Sequence, residues 1–212
     1  MDKKLNCNAG CRFCKIFNQK SESEKIIDKP IARADNFIAL VSKGAIVEGW
    51  VLIIPKIHTY SMRNLYCDDE FVCFTNNILS KIKQKYKRDC LVFEHGANRC
   101  DSLTSCGTNH AHLHIVPYDK SLLNEMRKND LEWKQCRSSE IKGLVGNGEY
   151  WFYAEKVKDI QDVKGYLHII EQPESQYFRK IIAEKEKCVE KFNYKEFQFI
   201  ENEKSTYEAL MG

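Results

Sequence analysis

The chain has 212 residues, 43% of them hydrophobic and 30% charged, with a formal net charge of +3. That length can bury a sound core without disulfide staples. So small a charge suits anionic small molecules but is not the footprint of a dedicated nucleic-acid binder, so nucleic acid is not an expected partner.

No apolar h-region occurs within residues 1–25, and the longest apolar run, WVLII at 50–54, is far too short for a bilayer. Neither a signal peptide nor a membrane partner is expected. The ten cysteines are scattered, at positions such as Cys67, Cys73, Cys90, Cys136 and Cys188. A reducing cytoplasm is therefore the expected location, without a disulfide framework, and most of these thiols are read as small buried hydrophobes.

In chain order, the first feature is CNAGCRFC, Cys7 to Cys14. Its C-x3-C-x2-C spacing is that of cluster ligands in radical-SAM enzymes, while the inner pair, Cys11 and Cys14, is equally half of a zinc site. The cluster reading requires repeated βα units and a glycine-rich stretch, and the chain offers neither.

IARADNFIALV at 31–41 reads as strand, turn, strand, SKGA as a turn, and GWVLIIP at 49–55 as a buried strand. A helix is predicted over 69–88. There Phe71, Phe74, Ile78 and Ile82 form one apolar stripe, and Asp68 and Asp69 sit at its start. Strand character returns in CLVFEHG at 90–96, a polar loop with two cysteines follows, and HAHLHIVP at 110–117 is a further strand.

Beyond Pro117 come a short charged helix (121–130), a glycine-rich turn, and two strands in YWFYAE and YLHII. A long helix over about 174–192 is predicted to put Phe178, Ile181, Ile182, Val189 and Phe192 on one side. The fold class expected is α+β, with a largely antiparallel sheet. Residues 1–118 form the first unit and 119–212 an extension packed on it.

His110, His112 and His114 alternate along the last strand of the first unit. Alternate strand residues share a face, so the three imidazoles line up while Ala111, Leu113 and Ile115 turn to the other side. Imidazoles clustered in this way suit metal ligation, nucleophilic attack or acid–base work.

HAHLHIVP resembles the signature of the histidine triad (HIT) family, H-x-H-x-H followed by apolar residues. VLIIPKIH at 51–58 resembles the strand and turn that precede the helix in that family, and CRFC the cysteine pair of its zinc-containing members. Residues 11–118 carry the resemblance. The remainder is more weakly similar to a longer subgroup with an S-Q-x-x-R helix, here Ser175, Gln176 and Arg179.

The resemblance implies a HIT-like fold and a nucleotide substrate, cleaved at the α-phosphate. The substrate would be a nucleoside phosphoramidate, a dinucleoside polyphosphate or a similar nucleotide. His112 would be the nucleophile forming a covalent nucleotidyl-histidine, and His114 would stabilise charge on the phosphoryl oxygens. An attacking imidazole needs its other nitrogen held by an acceptor, which the sequence does not identify.

Cys11, Cys14, His58 and His110 would form a closed structural Zn2+ site, as in the related galactose-1-phosphate uridylyltransferases. Ser42, Phe37, Ile38, Glu94, His95, Asn109 and Arg179 are the substrate-binding candidates, although an arginine on so basic a helix also reads as solvated. His168 reads as structural. A homodimer is implied by the resemblance alone. The alternatives are a nucleotidyltransferase with a phosphate acceptor and a nucleotide-binding regulator. Transferase branches carry glutamine in place of the third histidine, so His114 favours hydrolysis.

Overall fold

A computed structural model describes residues 10–18, 23–105, 107–129 and 131–212. Cys7 lies outside the described residues. Eight strands are present: β1 (Ala32–Arg33), β2 (Phe37–Val41), β3 (Val51–Pro55), β4 (Cys90–Gly96), β5 (Leu113–Pro117), β6 (Lys134–Arg137), β7 (Glu149–Val157) and β8 (Lys164–Ile170). They form one sheet in the order β1-β2-β3-β5-β4-β7-β8-β6, and every pairing is antiparallel. The helices are α1 (Arg12–Asn18), α2 (Asp69–Tyr86), α3 (Leu123–Met126), α4 (Ile141–Val145), α5 (Tyr177–Lys185) and α6 (Ile200–Met211). The protein is thus α+β on an antiparallel sheet, as the order of elements predicts. No helix among the described residues is long and apolar enough to cross a membrane.

Every residue of β2, β3, β4 and β5 is buried, so the central strands are covered on both faces. On one face, Phe71, Phe74, Ile78 and Ile82 of α2 pack on Ala39, Ile53, Val92 and Ile115. Asp68 caps that helix by accepting a hydrogen bond from the Phe71 N–H at 2.8 Å, which satisfies one of its orphan amides. On the other face, Phe13 and Ile16 of α1, Met126 of α3, and Phe178, Ile181 and Ile182 of α5 cover Leu40, Leu52 and Phe93. His114 of β5 turns into this second layer.

Several local expectations are corrected. Strand β5 begins at Leu113, so His110 and His112 lie in the segment leading into it. The helix expected over 174–192 is α5 alone, followed by a 3-10 turn at Val189–Lys191, and Val189 is 57% exposed. The charged helix at 121–130 is the four-residue α3 running into a 3-10 turn, Arg127–Asn129. Of the cysteines read as buried, Cys90 and Cys136 are, but Cys67 and Cys73 are exposed. Cys100 is disulfide-bonded.

Candidate functional site

Strand β5 runs between β3 and β4, with His114 paired across to Leu52 on one side and Phe93 on the other. Alternation puts Ala111, Leu113 and Ile115 into the α2-side core and turns the histidines towards α1 and α5. The alternation holds even where the ladder has not begun, because the Ala111 N–H donates to the Thr59 carbonyl at 2.7 Å and keeps the chain extended.

His112 Nδ1 lies 2.9 Å from the carbonyl oxygen of His110. A carbonyl only accepts, so Nδ1 carries the proton and Nε2 keeps its lone pair. The rings of His112 and His114 are 4.7 Å apart. Burial holds His112 below the usual imidazole range, opposed by its bond to the His110 carbonyl. Burial also holds His114 well below that range. Both are neutral near pH 7, the state a nucleophilic imidazole requires.

These two histidines share a pocket with Arg12, Ser42, Lys43, His95 and Arg179, and among the described residues no acidic side chain lines it. Arg12 is paired with Asp28 at 2.6 Å. His95 is 6% exposed, and among the described residues neither of its ring nitrogens has a hydrogen-bond partner. Burial, reinforced by His112 and Arg179, pushes its pKa down to about 3, so it too is neutral.

Arg179 is buried, against the solvated reading of its helix. Its Nη2 donates to the Gly44 carbonyl at 2.5 Å and its Nε to the Phe192 carbonyl at 3.1 Å. Its guanidinium lies over the rings of Trp50 and Tyr194 at 4.9 and 5.7 Å. Gly44 has φ +66°, and a Cβ there would stand 2.8 Å from that of Tyr194. The turn that carries Ser42 and Lys43 is therefore clamped by the C-terminal region, with Glu203 of α6 accepting from the Gly44 N–H at 2.6 Å.

The remaining candidates separate by face. Phe37 packs on Phe71 and Phe74, and Glu94 accepts from the Met62 N–H, the Tyr66 hydroxyl and the Tyr150 hydroxyl. Both sit on the α2 side of the sheet, so the expectation that they touch substrate is corrected. Ile38 is on the pocket side but fully buried in the core. Asn109 sits in the preceding loop, its amide bonded to Asp101 and Ser105. His168 bonds the Glu132 carbonyl and lies against Trp133 and Trp151, away from the pocket.

Cys11, Cys14, His58 and His110 converge beside the pocket, their ligand atoms all within 4.8 Å of one another. The Sγ-to-Nδ1 separations are 3.3 Å (Cys11–His110), 3.2 Å (Cys14–His58) and 3.6 Å (Cys14–His110). The S-to-N edge of a tetrahedral zinc site with ordinary bond lengths is about 3.5 Å. The Nε2–H of His110 donates to the Pro55 carbonyl at 2.8 Å, the outer-nitrogen partner that metal-bound imidazoles use to fix their tautomer. The cluster can hold a metal, and three of its sulfur–nitrogen edges are close to that tetrahedral value.

Reasoning from sequence missed Trp50, read only as part of an apolar strand. Its Nε1–H donates to His114 Nδ1 at 3.0 Å. A buried indole needs an acceptor for that proton, which marks such a residue but does not say where its partner lies.

Fold and pocket together define an α+β protein with a pocket of neutral imidazoles and basic side chains beside a Cys2His2 cluster. The description "Protein similar to CwfJ C-terminal" belongs to the family whose model matches residues 2–130, and the chain belongs to that family. No curated protein matches the chain. Similar solved structures include a hypothetical histidine triad nucleotide-binding protein from Sulfolobus tokodaii, at 24% identity over 52% of this chain and 70% of that one. A histidine triad protein from Clostridium difficile is 25% identical over 52% and 92% of the two chains. A Hit-like protein involved in cell-cycle regulation from Bartonella henselae is 19% identical over 50% and 75%. The TM-score is 0.35 in each case.

Proposed function

We propose that the protein is a nucleotide hydrolase of the histidine triad type. It cleaves a nucleoside phosphoramidate, a dinucleoside polyphosphate or a similar nucleotide at the α-phosphate. The observation that carries this reading is the 2.9 Å approach of His112 Nδ1 to the His110 carbonyl. It leaves the Nε2 lone pair of His112 as the nucleophile. Attack on the α-phosphorus forms the N–P bond as the bond to the leaving group breaks. Water then attacks the same phosphorus and releases His112. Splitting one displacement into two is the gain of covalent catalysis.

His114 donates a hydrogen bond to a phosphoryl oxygen and stabilises charge there. Ser42, His95 and Arg179 are the substrate-binding residues on the pocket wall, and the cations Arg12, Lys43 and Arg179 favour a phosphorylated ligand. Asn109 would act from the adjoining loop.

Cys11, Cys14, His58 and His110 would hold Zn2+, a closed structural site related to that of galactose-1-phosphate uridylyltransferases. Holding it, Cys11 and Cys14 would be tied through the metal to His58 and His110, joining α1 to the segment before β5 as a structural clasp. Residues 1–118 act as the nucleotide-binding unit and 119–212 as an extension packed on it, in the cytoplasm. A homodimer rests on family resemblance.

Alkaline denaturing quench of a reaction with α-labelled adenylated and guanylated substrates, conditions under which an N–P bond survives, tests the proposal. It expects label on His112 that water resolves. Resolution by phosphate instead would make the protein a transferase, and binding without any adduct or turnover would make it a regulator.

A further inference from the structure

We infer that Trp50 is a positioning residue that fixes the tautomer of His114 and so makes this histidine a dedicated hydrogen-bond donor. An indole nitrogen donates and never accepts. The 3.0 Å approach of Trp50 Nε1 to His114 Nδ1 therefore requires a lone pair on Nδ1. In a neutral imidazole the single proton is then on Nε2.

The ring has no freedom to escape this arrangement. One face of His114 stacks on Phe93, with centroids 4.3 Å apart and planes 16° apart. Trp50 meets both rings edge-on, at 5.7 Å from His114 and 5.6 Å from Phe93. The indole is itself fully buried, with the Arg179 guanidinium over it at 4.9 Å. Its other ring neighbours are His112 and His95, with centroids 4.7 and 6.0 Å away.

The consequence deepens the reading proposed above and rests on it for its kinetic part. With Nδ1 engaged and Nε2 protonated, His114 has no lone pair to offer as a base. As a neutral imidazole it is also too weak an acid to protonate a leaving group. It stabilises charge by donation only, and His112 is the complementary ring, with its proton on Nδ1 and its lone pair on Nε2. The two adjacent histidines hold opposite tautomers, one set by a backbone carbonyl and the other by an indole.

The test uses zinc-loaded, full-length protein with 15N-labelled histidine, its His114 resonances assigned by comparison with His114→Gln. Nitrogen shifts are expected to report a hydrogen-bonded lone-pair Nδ1 and a protonated Nε2. Trp50→Phe removes the donor but also leaves space in the core. Site-specific replacement of Trp50 by benzothienylalanine keeps the shape and removes only the N–H. In that variant His114 should show both tautomers. Its kcat should fall on the order of tenfold at little-changed KM, short of the hundredfold or more that deleting such a donor outright costs.

An Nδ1–H tautomer in the unaltered protein, or an unchanged single tautomer in the benzothienylalanine variant, overturns the inference. The spectra need no turnover. Expected tautomers in a protein that cleaves no nucleotide would refute the proposed function and leave the role of Trp50 intact.

Discussion

His110 serves His112 through its backbone and the Cys2His2 cluster through its ring. Its carbonyl takes the His112 Nδ1 proton at 2.9 Å, while its own Nδ1 faces Cys11 and Cys14. The side chain that faces the two cysteines and the carbonyl that orients His112 belong to one residue. His112→Asn should lower kcat by about a thousandfold or more, with the thermal midpoint little changed. An adduct still formed at normal rate in that variant would end the case for His112.

The metal cluster gives a second test. Cys11→Ser should lose zinc, whereas Cys7→Ser should keep it, as measured by metal content per chain. The loss should also be felt in stability. A cost of about 3 kcal/mol lowers the midpoint by roughly 6–12 °C in a chain of this length. Full zinc in Cys11→Ser would contradict the ligand set, and a brown iron-containing preparation would revive the three-cysteine reading.

Arg179→Lys tests the clamp on the Ser42–Gly44 turn. Lysine keeps the charge but loses the planar fork that reaches both the Gly44 and Phe192 carbonyls and lies over two rings. A destabilisation of about 2 kcal/mol is expected, together with a KM raised several-fold. A variant with unchanged midpoint and KM would show that the turn stands without the clamp.

Glu94 offers a pH test remote from the pocket. Burial raises its pKa above the ordinary carboxyl value, against the three bonds it accepts. The fold thus favours the protonated acid, so its contribution is fully present below the unfolded carboxyl pKa and is lost as pH rises through the folded one. Relative to wild type, Glu94→Gln should gain thermal stability between acid and neutral pH. A gap that moves the other way would show that the three donors outweigh burial.

What could be read from the sequence was what local patterns encode. The stripe of α2, its Asp68 cap and the alternation of His110, His112 and His114 each follow from one period and one face. Helix α6 escaped because its buried residues are Glu203, Thr206 and Leu210, two of them polar, so no apolar stripe announces it. Strand β6 escaped because only Cys136 of its four residues is buried. The pocket was legible in its histidines and in part of its wall, Ser42 and Arg179, but not in the rest. Phe37 and Glu94 were assigned to it because a sequence gives neighbours along the chain, not which face of β2 or β4 turns towards α2. Arg179, Trp50 and Tyr194 meet only once α5 is laid across the sheet.

The bond from Glu203 to the Gly44 N–H spans 159 residues of sequence, and a second from Thr206 to the Gly49 N–H spans 157. During synthesis the strands around the triad emerge long before their turn can be fastened. Contacts of such high separation are costly to close and form late. A nascent chain would pass through a stage with its sheet paired and the Ser42–Gly44 turn unlatched until residues 200–206 have been made.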